Sequence, residues 1–304
     1  MKNARAEPEY RKLYDSGRLA EVSAQLEEMG NSCTLCPHRC GVNRGRGETG
    51  RCRSSLEPVV SSWNAHFGEE PVLVGTGGSG TIFFTICNMR CVFCQNFEIS
   101  QLGYGEEISC RRLAEIMISL QIRGCHNVNF VTPTHMTPAI VKALLIAVPM
   151  GLRLPLVYNS GGYDSVSILR ILEGVFDIYM PDFKYAEEGQ ARRLSGIEEY
   201  PRIAAAALRE MHSQVGDLIA DERGIAVRGL MVRHLVLPDD AAGSREVVDF
   251  LRGLSADTYL NIMDQYRPLY RAHEHPGLGR MVTRNEVGEV VSHARRSGMR
   301  RVVS

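Results

Sequence analysis

Cys87, Cys91 and Cys94 stand in the run CNMRCVFCQN, directly behind an apolar segment of strand character. Thiolates at x3 and x2 spacing can hold a [4Fe-4S] cube with one iron left open to a small chelating ligand, whereas four thiolates close the cube and restrict it to moving electrons. Zinc and three unrelated buried thiols are the alternatives. Zinc wants four closed ligands, and no fourth cysteine or histidine follows closely. A second set, Cys33, Cys36, Cys40 and Cys52, begins in CTLCPHRC. Four thiolates suit a closed centre, either an auxiliary [4Fe-4S] cluster or structural zinc. In the first case it could relay electrons to the Cys87 set; in the second it holds the fold alone. Arg39, Arg44, Arg46, Arg51 and Arg53 crowd this stretch and would offset thiolate charge or meet an acidic partner. Of nine cysteines, only Cys110 and Cys125 stand outside the two sets, which reads as thiol ligands in a reducing compartment rather than a disulfide framework.

Further polar residues follow apolar runs: TPTH (132–135), YNSGG (158–162), MPDFK (180–184), RHLVLP (233–238) and MDQYRP (263–268). In parallel βα architectures ligands gather at the carboxyl ends of strands, where loops converge and helix N-termini point inward. Read on its own, Asp182 with Lys184 could be a simple salt bridge, and His234 on an apolar strand a satisfied core histidine. The run GTGGSG (75–80) lacks a following Lys-Ser/Thr and reads as a flexible lead into a strand rather than a phosphate cradle. HEHPGLGR (273–280) reads as a glycine-rich loop rather than a metal site.

The x3, x2 triplet with Phe93 before its last cysteine resembles the signature of the radical S-adenosylmethionine superfamily. CxMRCxFCxN is similar to the activating enzymes of glycyl-radical enzymes. TPTH, PDFKY and MDQYRP most resemble the proteins described as similar to pyruvate formate-lyase activating enzyme, over most of the chain. The resemblance implies an open iron that binds the amino and carboxylate groups of S-adenosylmethionine. It puts Asp182 and Lys184 beside the sulfonium and ribose, His234 against the adenine, and Asn159 and Ser160 near the ribose. One departure stands out: the family's Gly-Gly-Glu, which takes the methionine amino group, is here Thr132, Pro133, Thr134 and His135. A hydroxyl or imidazole can accept an ammonium, though less strongly than a carboxylate.

The implied reaction is reductive cleavage of S-adenosylmethionine, with one electron from a flavodoxin- or ferredoxin-type donor, to a 5′-deoxyadenosyl radical that abstracts hydrogen. The target is a glycyl residue of a partner protein, a peptide or a small molecule. Tyr158, Tyr163, Gln265, Tyr266 and Arg267 are the candidate substrate-side residues. The rival reading is a non-enzymatic interaction or electron-transfer module that docks through the arginine-rich cysteine finger.

These residues need a scaffold that brings strand ends together. Short apolar runs at Thr81–Ile86, Asn127–Val131, Leu156–Tyr158, Phe176–Met180, Leu230–Val236 and Tyr259–Met263 alternate with helix-period segments, the pattern of repeated βα units. The expected fold is α/β, a partial (β/α)6 TIM-like barrel over 76–304 with a small cysteine-rich metal-binding module over 1–75. Ser109, Thr137 before Pro138, and the capping box TRNE (283–286) mark helix starts. Residues 186–229 interrupt the alternation with an alanine-rich helix and a hairpin around ADERG, expected near the substrate. Lys plus Arg equals Asp plus Glu at 35 each, which argues against capture of nucleic acid or an anionic membrane. With no apolar leader and no long apolar span, the expectation is a soluble cytoplasmic protein.

Overall fold

The computed structural model describes residues 7–304. Its strands are β1 (Val59–His66), β2 (Ser79–Phe84), β3 (Glu106–Glu107), β4 (Val128–Val131), β5 (Leu156–Ser160), β6 (Ile178–Pro181), β7 (Ile219–Ala220), β8 (Ala226–Leu235), β9 (Tyr259–Met263) and β10 (Val302–Val303). The helices are α1 (Glu9–Asp15), α2 (Arg18–Asn31), α3 (Pro71–Val74), α4 (Phe97–Ser100), α5 (Cys110–Ile122), α6 (Thr137–Ala147), α7 (Val166–Ile171), α8 (Glu188–Ser195), α9 (Tyr200–Val215), α10 (Ser244–Leu254) and α11 (Arg284–Arg296).

Strands β2, β4, β5, β6, β8 and β9 pair in that order, all parallel. They are the six apolar runs expected from the sequence, displaced at their ends by a few residues. The complete path, β10-β9-β8-β6-β5-β4-β2-β1-β3, has two ends. The residues of the six parallel strands point alternately to two largely buried faces. Phe84, Phe130 and Phe176 point to the helical side, where Phe84 stacks on Phe130 with ring centroids 6.1 Å apart. Val157, Ile178, Met180 and Met231 point the other way and close around Leu73 of α3, which plugs the inner face.

β1 was not expected. It lies within the stretch read as the N-terminal module, yet it pairs antiparallel with β2 from Val60↔Phe84 to His66↔Ser79 and extends the main sheet. Its sequence, VVSSWNAH, is half polar because Trp63 packs toward the helices while Ser62 and Asn64 stay exposed. α1 and α2 also dock on the main body: Tyr10 is buried and its hydroxyl donates to Leu154 O at 3.0 Å.

Helix starts follow the sequence in two of three cases. Ser109 Oγ accepts from Arg112 N, and Thr283 with Glu286 forms a reciprocal capping box. Thr137, expected as a cap, is the first residue of α6; Met136 occupies the cap position and Thr137 Oγ1 is buried without a partner. The glycine run before β2 is fastened rather than loose: Gly77 N donates to His126 Nε2 at 3.0 Å and Gly78 N to Val74 O at 2.8 Å. A Cβ on Gly77 would come within 2.1 Å of Gly124 O, so only glycine fits there.

Candidate cofactor site

β2 delivers the three-cysteine loop. The chain leaves the strand through Ile86, a β-branched residue held at φ 60°, and Thr132 takes a similar φ of 61° where β4 ends. Left-handed backbone is costly for such side chains and collects at functional sites. Thr132 stands where the resembled family places glycine, and its N–H is anchored on Asn159 O at 2.9 Å.

Each thiol has a fixed neighbour. Met89 N donates to Cys87 Sγ at 3.4 Å, Ser195 Oγ to Cys91 Sγ at 3.0 Å, and Cys94 Sγ lies 3.0 Å from Ser100 Oγ. Burial pushes the Cys87 and Cys91 thiols up, with neighbouring cysteine charge adding to the effect and Lys184 opposing it at Cys91. The chemistry of this donor set fits a [4Fe-4S] cluster: three free thiols in one loop, hydrogen-bonded at sulfur, with a lysine beside them. Among the described residues no group of three or more His, Cys, Asp or Glu side chains is drawn in around a single metal ion.

Lys184 is that lysine. Its Nζ lies 2.5 Å from Asp182 Oδ2, and Arg233 Nε lies 2.9 Å from Asp182 Oδ1. Arg233 also donates through Nη2 to Asn159 Oδ1 at 2.7 Å. Burial works against the charge on Asp182, but Arg233 and then Lys184 outweigh it and hold the carboxyl below its ordinary value. Burial likewise opposes the charge on Lys184, which Asp182 and then Cys91 restore. Asn159, Asp182 and Lys184, three of the residues read from the sequence, thus meet in one network with Arg233, which sequence reasoning passed over.

The remaining candidates divide differently. Thr134 Oγ1 and Ser160 Oγ both donate to Asp164, at 2.7 and 2.6 Å, and Tyr158 OH adds a third bond at 2.8 Å. Asp164 is buried, and neither it nor its role as a hub was foreseen. His135 is buried; its Nε2 donates to Thr85 O at 3.0 Å and its Nδ1 has no hydrogen-bond partner. His234 is in the core, with Nδ1 donating to Phe183 O at 2.7 Å and Nε2 accepting from Ser244 Oγ at 2.9 Å. Strand alternation turns it to the face opposite Arg233. Phe93 packs edge-on against Tyr185 and Tyr266. Of the substrate-side candidates, Tyr158 and Tyr266 are core residues whose hydroxyls bond Asp164 and Leu278 O. Tyr163 packs against His38 with the rings tilted by 57°, and Gln265 and Arg267 are exposed.

Part of the 186–229 stretch does reach the site. The end of α8 lies along the cysteine loop, with Arg90 N on Ser195 O and Val92 N on Leu194 O, at 3.1 and 2.9 Å. Tyr200 OH, at the start of α9, donates to Gly161 O and Asp182 O and accepts from Lys184 N. The hairpin does not follow: Arg223 lines a cavity with Glu7, His126 and Arg153, which stand before β4 and β5 at the opposite end of the sheet.

The second thiol set lies partly in the interior. Cys33, Cys36 and Cys52 are buried and Cys40 is exposed. Burial pushes the Cys36 thiol up to about 12, with charges at Cys52, Cys33 and Cys40 adding to the effect. Arg51 N donates to Cys40 Sγ at 3.4 Å. This loop touches the first one through Arg90, whose Nη2 donates to Arg51 O.

A mainly parallel sheet with a three-cysteine loop behind its first parallel strand defines an α/β protein with a thiol-bearing strand end. Residues 81–216 match the Radical SAM superfamily. The chain is 35% identical over 273 residues to the uncharacterized protein MJ0674 of Methanocaldococcus jannaschii, covering 86% of this chain and 74% of that one. The chain belongs to the radical SAM superfamily. Membership implies a [4Fe-4S] cluster and reductive cleavage of S-adenosylmethionine. A radical SAM methyltransferase from Sphaerobacter thermophilus shares the fold at TM-score 0.50 and 14% identity, over 74% of this chain and 65% of its own. The structure of TYW1 with a lysine-pyruvate adduct bound superimposes at TM-score 0.47 and 11% identity, over 74% of this chain and 76% of its own. Among the described residues no helix is long and apolar enough to cross a membrane.

Proposed function

We propose that this chain is a radical SAM oxidoreductase in which Cys87, Cys91 and Cys94 hold the cluster and Asn159, Asp182, Lys184 and Arg233 receive S-adenosylmethionine. The carrying observation is the convergence of Asp182, Lys184 and Arg233 beside the three-thiol loop. When bound, the cluster and S-adenosylmethionine supply one-electron cleavage to methionine and a 5′-deoxyadenosyl radical. Lys184 offsets thiolate charge next to Cys91. The Asp182 carboxylate, kept ionised by two cations, offers an acceptor for ribose hydroxyls and a counter-charge for the sulfonium. Tyr200 and Asp164 fix the loops behind β5 and β6, so the site is set before ligand arrives.

The hydrogen donor is an unidentified substrate. A glycyl residue of a partner protein, a peptide or a small molecule each suits an activating-enzyme-like site, with a flavodoxin- or ferredoxin-type protein as electron donor. The four thiols Cys33, Cys36, Cys40 and Cys52 hold a second centre, [4Fe-4S] or zinc, docked on the first loop.

Anaerobic reconstitution followed by counts of iron, sulfide and zinc tests this reading, together with a chromatographic assay for 5′-deoxyadenosine formed with dithionite. About eight irons means two clusters, and about four irons with one zinc makes the second centre structural. Deoxyadenosine formation abolished by Cys87→Ala supports the enzyme. No iron uptake and no cleavage would leave only the interaction module.

A further inference from the structure

The inner face of the sheet carries more carboxylate than cation. β1 ends at His66, and the segment that follows brings Glu69 and Glu70 toward β8 and β9. Glu69 Oε2 lies 3.6 Å from Arg233 Nη1, and Oε1 lies 3.7 Å from His66 Nδ1. Glu70 Oε1 accepts from Asn261 Nδ2 at 3.0 Å, while its Oε2 is buried with no hydrogen-bond partner. Arg233 and Asn261 face each other in the β8–β9 register, and Asp182 bridges to Arg233 from the neighbouring strand. Asp182, Glu69 and Glu70 therefore share one layer.

Two permanent cations serve this layer, Arg233 and Lys184, and both are already committed to Asp182. Arg233 reaches Glu69 only at the longer distance, and Glu70 has an amide for its single partner. The Glu69 side chain is 8% exposed and Glu70 is 5% exposed, so water does not make up the difference. Burial pushes the Glu69 carboxyl up, against the pull of Arg233. Arg233 is shared among Asp182, Glu70 and Glu69, so three buried carboxylates face two cations; an excess of buried negative charge is destabilising and persists where a ligand supplies the missing charge. The His66 side chain, 37% exposed, marks the side from which such a ligand can reach the pair.

We propose that Glu69 and Glu70 bind a cationic group of the substrate, an ammonium or a guanidinium, on the inner face of the sheet in the same layer as Asp182. This rests on the radical SAM reading of the site and adds the substrate class: a molecule or peptide side chain with a positive group held near the hydrogen that is abstracted. Arg233, shared between Asp182 and Glu69, ties the cofactor side to the substrate side.

Agmatine is the probe, with 1,6-hexanediol as a neutral chain of similar length, each titrated into the reconstituted protein by calorimetry and by thermal shift. Agmatine is expected to bind saturably and raise the melting temperature, and hexanediol to do neither. Glu70→Gln without ligand is expected to raise the melting temperature, because it removes the excess of carboxylate over cation, and to weaken agmatine about tenfold or more. Glu69→Gln is expected to weaken agmatine likewise. Absence of saturable agmatine binding overturns the proposal. So does a Glu70→Gln protein that is less stable and binds agmatine as before, the signature of a structural carboxylate. Deoxyadenosine yield on the same preparation is read separately: its absence would sink the radical SAM reading, whereas agmatine binding does not depend on it.

Discussion

His38 donates through Nε2 to the carbonyl oxygen of Asn88 at 2.7 Å. His38 lies between Cys36 and Cys40, and Asn88 follows Cys87, so one hydrogen bond joins the two thiol loops. Asn88 in turn donates through Nδ2 to Tyr163 O at 2.8 Å, and the Tyr163 ring packs on His38 with centroids 5.1 Å apart. His38→Phe keeps the ring contact and deletes the bond. The expected loss is about 1 kcal/mol of stability, measured by denaturant unfolding of the metal-free protein. An unchanged midpoint would mean that the two loops hold their places independently.

Ser195→Ala removes a side-chain donor from Cys91 Sγ and leaves Tyr185 OH, now 2.6 Å from Ser195 Oγ, without that partner. Hydrogen bonds to cluster sulfurs raise the reduction potential and secure the metal. The variant should show a more negative cluster potential and retain iron about tenfold less tightly. Potentiometric titration followed by electron paramagnetic resonance, with iron release to a chelator, checks both.

Tyr200→Phe deletes a buried hydroxyl that receives Lys184 N at 2.9 Å and faces Gly161 O at 2.9 Å and Asp182 O at 3.1 Å. Three backbone groups from two strand ends lose their shared partner. A cost of about 1–3 kcal/mol follows for leaving buried polar groups unsatisfied, and S-adenosylmethionine should bind more weakly because Lys184 is less firmly held. Equilibrium dialysis with labelled cofactor would detect this, and unaltered affinity would separate Tyr200 from the site.

Burial drives the His135 pKa down to about 3, Arg44 adds to the shift, and the bond to Thr85 opposes it. The unfolded chain takes up this proton near pH 6.5. Between those values the unfolded state binds more protons, so stability rises with pH, by up to about 1.4 kcal/mol per unit from this group. The contribution is complete above pH 6.5 and is lost on acidification toward pH 3. Asp177, pushed up to about 7 by burial, works in the opposite sense over part of this range. The difference between wild type and His135→Gln isolates the histidine: it should change steeply from pH 6 to 4 and be flat above 7.

The parallel strands were legible because strands buried on both faces read as nearly unbroken apolar runs. β1 was not, because one of its faces meets water and its polar residues resemble a loop. Within the site, the cysteines announce themselves by spacing, and Asp182 with Lys184 through the resemblance of the DFK run to the family pattern. Arg233 does not, since a buried arginine is explained only by the carboxylates that other segments bring to it. A signal was nonetheless present: on β8, Met231 and Arg233 share one parity and His234 has the other, so placing Met231 inward assigns Arg233 to the site and His234 to the core. Asp164 offered no such signal. It is a lone aspartate in a loop, and its three donors come from β5 and from the loop after β4.

The bond between Glu70 and Asn261 spans 191 positions of the chain. Contacts of such separation form late, after the loop-closure entropy of everything between them has been met. During synthesis the cysteine loop and β2 emerge long before β9, so the thiols exist for a time without the wall that faces them. A nascent chain can bind iron early, but it cannot enclose a reactive species until β9 has left the ribosome. Placing one wall of the site so far along the chain makes the emergence of β9 a precondition for confining a radical.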